Sequence, residues 1–219
     1  KNGEKLKELD EKIKKTDFII HLAAANRPKD KKLFKEVNID LTLYISEYLK
    51  KNELRMPIIF TSSVQANLSN DYGKSKLKAE NILSDLNRTN HNKIIIYRLP
   101  GVFGKWCKPN YNSVVSTFCY NAANNLELKI SEPKKEISLV YVEDVVKDIC
   151  KLIKGNKKNI IYREVKPLYK IKLRDLANKI LSFKKSRKDL LIPNVGKGLN
   201  KKLYSTYISF LKKNDFSYP

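Results

Sequence analysis

The sequence is poor in cysteine, histidine and glycine. Its 219 residues include three cysteines, seven glycines and two histidines, His21 and His91, which are too few to build a histidine-rich metal site. The cysteines share no metal-ligand spacing, so we expect reduced, mostly buried thiols instead of disulfides or zinc ligands. We therefore predict no metal site.

Long apolar runs are also missing. No stretch approaches the ~20 uninterrupted apolar residues that a membrane span needs, and the lysine-rich N-terminus has no signal-peptide core. We therefore expect a cytoplasmic protein with no membrane partner. The chain is 42% hydrophobic, however, which is enough to bury a core and excludes a disordered protein.

Positive charge is abundant. The chain has 45 Lys and Arg against 23 Asp and Glu, a formal net charge of +22, which would ordinarily indicate a polyanion as partner. The lysines recur on the polar faces of most apparent helices, as at residues 5–15 and 170–188, and do not gather into one tract. We interpret this as general lysine usage and predict no nucleic-acid partner, with a basic polymer-binding module as the alternative.

Three short apolar runs alternate with helical periodicity in the first half of the chain. Residues 17–24, 56–62 and 93–98 have the nearly continuous hydrophobicity of strands that are covered on both faces. Between them, apolar residues recur at helical spacing over residues 34–48 and 79–86. This βαβαβ series predicts an α/β protein with a Rossmann-like, doubly wound parallel sheet, whose ligands bind beyond the carboxyl ends of the strands.

The second half alternates helices with shorter strands and predicts a small α/β subdomain. The predicted elements are a helix at 112–124, a strand that ends near Val142, a helix at 143–154, a strand at 160–165, and helices around 173–181 and 203–211.

Tyr72 and Lys76 lie four residues apart at the start of the second crossover helix, so they share one face. An ammonium beside a phenol lowers the tyrosine pKa and makes the phenol a usable acid or base. The spacing alone also fits a chance surface pair in a lysine-rich chain. The context favours a catalytic site, because the preceding strand ends in Thr61-Ser62-Ser63, whose hydroxyls can bond a substrate oxygen.

Five ordered segments resemble the extended short-chain dehydrogenase/reductase family. They are residues 16–24 ending in Leu-Ala-Ala, Val37-Asn38, Thr61-Ser62-Ser63, Tyr97-Arg98-Leu-Pro-Gly-Val-Phe-Gly104 and Leu139-Val-Tyr-Val-Glu-Asp-Val-Val146. The resemblance implies an NAD(P)-dependent oxidoreductase that acts on a nucleotide sugar, with Ser63, Tyr72 and Lys76 as catalytic residues. It also implies cofactor contacts at Leu22, Ala23, Ala24, Thr61, Ser62, Tyr72, Lys76, Leu99 and Pro100.

Residues 103–120, 203–207 and 215–219 more closely resemble the reductase half of the bifunctional capsular polysaccharide enzymes that make UDP-N-acetyl-L-talosamine. This implies reduction of the C4 ketone of a UDP-2-acetamido-2,6-dideoxy-hexos-4-ulose with NADPH, with NADH left open. It further implies a homodimer, and a cupin epimerase domain fused to or following the chain. The predicted substrate contacts are Ser63, Gly101, Lys108, Asn110 and Asn112.

The resemblance also implies different roles for two parts of the chain. Residues 1–104 would form the NAD(P)-binding part, and residues 105–219 the substrate-binding part, interleaved with the last sheet strands. Tyr72 would donate the proton, Ser63 would bond the same oxygen, and Lys76 would bind the nicotinamide ribose and lower the pKa of Tyr72.

The sequence departs from the family pattern before Asp17, at Gly101 and near Ile137, where the family often has a phosphate-reading arginine. No Gly-x-x-Gly-x-x-Gly loop precedes Asp17, so we expect the chain to be a piece of a longer protein that is unstable by itself and binds a dinucleotide poorly. Gly101 stands where the family usually has asparagine. A sugar-nucleotide 4-epimerase on the same fold and an inactive remnant remain alternatives. A 4,6-dehydratase is disfavoured, because Val64 and Gln65 supply no carboxylate after Ser63.

Overall fold

A computed structural model describes residues 2–155 and 162–212. The chain forms two compact units, Lys1–Leu99 with Asp148–Val165, and Pro100–Lys147 with Lys166–Pro219. The division of the chain into a cofactor-binding part, 1–104, and a substrate-binding part, 105–219, stays a prediction. In chain order the elements are α1 (Asn2–Lys14), β1 (Ile19–His21), a π-helical segment (Phe34–Asp40), α2 (Leu41–Lys51), β2 (Ile58–Ser63), a 3-10 turn (Val64–Asn67), α3 (Asp71–Asn90), β3 (Ile94–Leu99), β4 (Gly101–Phe103), α4 (Val114–Ala123), β5 (Glu136–Tyr141), α5 (Val142–Lys154), β6 (Tyr162–Arg163), β7 (Tyr169–Lys172), α6 (Leu173–Lys188) and α7 (Gly198–Ile208).

The first unit is built on a parallel sheet with strand order β1-β2-β3-β6. Alternate residues of β2 and β3 point to one face, where Ile58, Phe60, Ile94 and Ile96 are buried against apolar side chains of α1, α2 and α3. Each fully buried side chain of this size contributes roughly 1.5–3 kcal/mol. These helices are therefore held to the sheet mainly by their apolar stripes.

The opposite face of the same sheet carries α5. Tyr97 follows Ile96 in β3 and so points the other way, and its hydroxyl donates to Asp148 of α5 at 2.5 Å. Helices thus cover both faces. The predicted α/β class with a doubly wound parallel sheet is confirmed.

The second unit contains a three-stranded sheet with order β4-β5-β7, in which β5 is parallel to β4 and antiparallel to β7. Its core joins these strands to α4, α6 and α7. The fully buried members include Phe103, Val115, Cys119, Leu176, Ile180 and Leu203. The α/β character predicted for this half of the chain is confirmed.

Several boundaries differ from the predictions. The first strand is only Ile19–His21, because the chain leaves the sheet at Leu22, and the following helix begins in π-helical geometry. The strand predicted at 160–165 is Tyr162–Arg163, while positions 160 and 161 and the closing segment 215–219 lie outside the described residues. The strands β4 and β7 were not predicted, since three or four residues are too few to show a period.

The cysteines are free, but the expectation that they are mostly buried is wrong. Cys119 is buried, which raises the pKa of its thiol. Cys107 is half-buried, and Cys150 lies on an exposed face of α5. Among the helices of the described ranges, none is long and apolar enough to cross a membrane.

Candidate active site

The carboxyl end of β2 and the first turn of α3 bring Ser63 to Tyr72. Ser63 is the last residue of β2 and caps the 3-10 turn, with its Oγ accepting from the Gln65 amide at 3.2 Å. Asn70 caps α3 by accepting from the Gly73 amide at 2.7 Å. The Ser63 hydroxyl is near enough to the Tyr72 phenol to act on the pKa of that phenol, which it lowers. Two of the predicted catalytic residues are therefore neighbours.

Gly73 lets the start of α3 approach the 3-10 turn closely. A Cβ at this position would lie 2.1 Å from the carbonyl oxygen of Gln65 and 2.7 Å from that of Leu68. Since both obstacles are backbone atoms, any larger residue would push the start of α3 away from the 3-10 turn. The glycine in the Tyr-Gly-x-x-Lys stretch thus serves a close approach of two backbones.

Lys76 lies one turn further along α3 and is 1% exposed. Its ammonium donates to the carbonyl oxygen of Thr61 at 2.7 Å and lies 4.1 Å from the ring centroid of Phe60. Burial lowers the pKa of Lys76 to about 8, against the opposing effect of the Glu80 carboxylate. The ammonium has three N–H donors, of which one meets Thr61.

The pKa of Tyr72 differs from the prediction. Burial raises this pKa, and the hydrogen bond with Ser63 works in the opposite direction. The predicted lowering of the pKa by Lys76 is not what the structure gives, because the ammonium is directed at the Thr61 carbonyl. Tyr72 is consequently a protonated phenol at neutral pH, which suits a proton donor.

Asn38 connects the loop after β1 to the start of α3. Its amide accepts from the Ala25 N–H at 2.7 Å, and donates to the Ala25 carbonyl at 2.9 Å and to Ser75 Oγ at 2.8 Å. Ser75 Oγ in turn donates to the Tyr72 carbonyl at 2.7 Å. Asn38 is 1% exposed, so this buried amide uses both donor and acceptor groups to fix the backbone that carries Tyr72.

His21 and Thr42 extend this network. Thr42 Oγ1 donates to the Asn38 carbonyl at 2.9 Å and lies 2.9 Å from His21 Nε2. Since the hydroxyl hydrogen is used on Asn38, His21 Nε2 must be the donor to Thr42, which assigns the tautomer. Burial, and then the charge of Lys76, lower the pKa of His21 to about 4. His21 is therefore neutral at physiological pH.

The network of Asn38, Thr42 and His21 was missed as part of the site. Val37-Asn38 is one of the segments that resemble the family, but the sequence alone gives no sign that Asn38, Thr42 and His21 are buried and joined to the Tyr72 backbone. The spacing of four between Asn38 and Thr42 was the available signal.

The predicted cofactor contacts occupy different environments. Leu22, Ala23 and Ala24 are exposed where the chain leaves β1, and Thr61 Oγ1 donates to the His21 carbonyl at 3.5 Å. The Ser62 hydroxyl is turned into the interior, where it donates to Glu80. Leu99 is half-buried at the end of β3. Pro100, also half-buried, begins the second unit.

The remaining predicted substrate contacts belong to the second unit. Gly101, Lys108, Asn110 and Asn112 are all exposed. The Asn110 backbone has φ 55° and its N–H donates to Thr117 Oγ1 at 3.0 Å, which orders this part of the loop. Their role in substrate binding stays a prediction.

The residues around β2 fit a nicotinamide cofactor. An exposed run of small and apolar residues follows β1, and the Tyr72 hydroxyl and the Lys76 ammonium converge on the carboxyl end of β2, where a doubly wound sheet binds its ligands. Within residues 2–155 and 162–212, no three His, Cys, Asp or Glu side chains are grouped as metal ligands.

Comparison with known proteins gives one matching family. Residues 3–163 match the NAD-dependent epimerase/dehydratase family. The chain is 43% identical over 210 residues to UDP-2-acetamido-2,6-beta-L-arabino-hexul-4-ose reductase of Pseudomonas aeruginosa. The match covers 96% of this chain and 56% of the reductase, so the chain spans about half the length of that relative.

Solved structures agree with this result. The capsular polysaccharide assembling protein CapF from Staphylococcus aureus is 40% identical with a TM-score of 0.86, over 97% of this chain and 58% of CapF. The UDP-glucuronic acid 4-epimerase from Bacillus cereus, solved in complex with NAD, has a TM-score of 0.79 at 17% identity, over 92% of this chain and 76% of the epimerase. The second likeness concerns the fold alone.

Proposed function

This chain belongs to the NAD-dependent epimerase/dehydratase family, and we propose that it is the reductase part of an enzyme that reduces the C4 ketone of a UDP-2-acetamido-2,6-dideoxy-hexos-4-ulose. One observation carries the proposal: Ser63, Tyr72 and Lys76 converge at the carboxyl end of β2. The 43% identity to a UDP-sugar 4-keto reductase supports the substrate class. Because that match covers about half of the relative, the activity is proposed for the whole protein.

The chemistry requires one hydride and one proton. A bound nicotinamide cofactor would supply the hydride to the carbonyl carbon. Tyr72, kept protonated by burial, donates its phenolic proton to the oxygen, which becomes the hydroxyl of the product. Ser63 Oγ hydrogen-bonds the same oxygen as negative charge develops on it. Ser63 is also the group that favours the phenolate left on Tyr72.

The chain's own residues also position the cofactor. Leu22, Ala23 and Ala24 offer an exposed, low-bulk surface at the end of β1, and Lys76 has N–H donors for a ribose hydroxyl beyond the one used on Thr61. We propose NADPH as the cofactor, on the resemblance described above. The homodimer, the cupin domain and the cytoplasmic location belong to the same proposal for the complete protein.

Replacing the phenol tests the proposal directly. Tyr72→Phe in the full-length protein should lower kcat by about 10²–10⁴-fold, because the proton donor is lost, and should leave the Kd for NADPH nearly unchanged. The measurement is NADPH oxidation with the 4-keto UDP-sugar, together with a fluorescence titration of NADPH.

Tyr44→Phe is the matched control. The Tyr44 hydroxyl donates to Asp10 at 2.7 Å, away from Ser63 and Lys76, so its loss should leave kcat unchanged. Near-normal turnover in Tyr72→Phe would contradict the assignment. Turnover of a UDP-sugar without net NADPH oxidation would favour the 4-epimerase alternative.

A further inference from the structure

A buried carboxylate lies one helical turn beyond Lys76. Glu80 is 0% exposed and is the meeting point of three strands. It accepts from the Ser62 hydroxyl of β2, from the Arg98 guanidinium of β3 with a shortest distance of 2.7 Å, and from the Tyr162 hydroxyl of β6 at 3.2 Å. Arg98 also lies over the ring of Tyr162, at 4.8 Å from its centroid. The carboxylate is thus fully partnered.

This arrangement fixes α3 against the reactive end of β2. Lys76 and Glu80 lie on the same face of α3, and they reach the consecutive residues Thr61 and Ser62. The next residue of β2 is Ser63, and the preceding turn of α3 carries Tyr72. Glu80 therefore sets the register in which the helix presents its phenol and ammonium to the strand.

We propose that Glu80 is a positioning residue for the reduction: its carboxylate, held by Ser62, Arg98 and Tyr162, keeps the neighbouring Lys76 ammonium charged and aimed at the end of β2. This role rests on the proposed function. It explains why an ion pair is kept in a place where an apolar helix face would pack against the sheet at lower desolvation cost.

The charges around Lys76 give the sign of the effect. Burial disfavours its charged form, and Glu80 opposes burial. Tyr72 lies one turn before Lys76 on the same helix, and His21 of β1 senses its charge, while Arg98 of β3 and Tyr162 of β6 contact Glu80. His21 is neutral near pH 7, and Arg98 is positive, so Glu80 supplies the negative charge of this group.

A charge-neutral variant separates positioning from simple stability. In Glu80→Gln, Lys76 should lose its proton at lower pH, so the alkaline limb of the kcat/KM profile should move down by on the order of one pH unit. Asp148→Asn is the matched control, because Asp148 is paired in the same way with Arg163 and Tyr97 on the opposite face of the sheet. It should leave that limb in place.

Tyr162→Phe is a second control. It removes one half-exposed donor at little risk to folding, and water can replace that hydroxyl, so the alkaline limb should stay in place. An alkaline limb that does not move in Glu80→Gln, or that moves equally in Asp148→Asn, overturns the proposal.

Direct titration of Lys76 keeps this test independent of the reaction. ¹³C NMR of lysine labelled at Cε, assigned with Lys76→Met, should show a lower titration midpoint in full-length Glu80→Gln than in the wild type. If the ketone is not reduced but this midpoint moves as expected, the proposed function fails while the effect of Glu80 on Lys76 stands. An unchanged midpoint in an active enzyme overturns the role of Glu80 alone.

Discussion

The two faces of the parallel sheet carry the same set of polar residues in different surroundings. Tyr97-Arg98 on β3 and Tyr162-Arg163 on β6 are adjacent in register, with Tyr97 opposite Arg163. Because side chains alternate along a strand, Tyr97 and Arg163 reach Asp148 of α5, while Arg98 and Tyr162 reach Glu80 of α3. Each face therefore has one tyrosine, one arginine and one carboxylate.

The clusters differ in burial and in their neighbours. The Glu80 side chain is 0% exposed, whereas that of Asp148 is 20% exposed. Glu80 also receives the Ser62 hydroxyl and lies one turn from Lys76, while Asp148 is bonded only to the tyrosine and arginine that the sheet supplies to it among the described residues. The same polar set thus serves different roles according to which helix supplies the carboxylate.

The largest expected difference concerns the two arginines. Arg98→Met leaves a fully buried carboxylate without its charged partner, and should lower the free energy of unfolding by about 3–5 kcal/mol. Arg163→Met leaves a carboxylate that water can reach, and should cost about 1–3 kcal/mol. Urea-induced unfolding of the full-length variants measures both values. An equal or larger loss in Arg163→Met would remove the distinction between the faces.

For the tyrosines, the larger loss of stability should fall on the Asp148 face of the sheet, the reverse of the arginines. Tyr97 is 0% exposed, so Tyr97→Phe deletes a buried hydroxyl bonded to Asp148 and should cost about 1 kcal/mol. Tyr162 is 50% exposed, so water can replace its hydroxyl, and Tyr162→Phe should change the free energy of unfolding very little. The comparison uses the same unfolding assay. A greater loss for Tyr162→Phe would mean that burial is not the deciding factor.

The smallest effect should appear as a pH dependence. The hydrogen bonds from Arg163, followed by that from Tyr97, hold the pKa of Asp148 below its usual range. The contribution of Asp148 to stability is therefore fully present above about pH 4, the pKa of an aspartate in the unfolded chain, and is lost as the pH falls through the lower pKa of the folded state. Asp148→Asn should therefore be less stable than the wild type at pH 7, and this difference should shrink below pH 4. Melting temperatures at pH 7, 4 and 3 measure it. A constant difference would contradict this origin.

The sequence was sufficient for the parts of the fold that rest on apolar periodicity. The strands β2 and β3, the end of β5, the start of α3 and both ends of α4 and α5 were predicted within a few residues, because continuous apolar runs and helical stripes reflect burial directly. The strand-helix order placed Ser63 and Tyr72 at the same edge of the sheet. The function of both residues stays a proposal.

The buried polar groups could not be predicted in the same way. Glu80 sits among Ala79, Ile82 and Leu83, and in a lysine-rich helix it is indistinguishable by pattern from a solvated residue. Its partners at positions 62, 98 and 162 are brought to it only by the order of the strands. The pKa of Tyr72 was misjudged for a similar reason, because helical spacing does not reveal that Lys76 donates to Thr61.

Only a hydrogen atom fits between the α carbon of Gly73 and the carbonyl oxygens of Gln65 and Leu68. The segment from Ser63 to Gly73 is therefore constrained in length, because a larger residue at position 73 would push the start of α3 away from the 3-10 turn. Insertions in this segment should be lost from a library selected for activity, whereas insertions at the exposed residues 29–32 should be tolerated. A design that transfers Ser63 and Tyr72 to another protein must therefore transfer the whole segment 63–73.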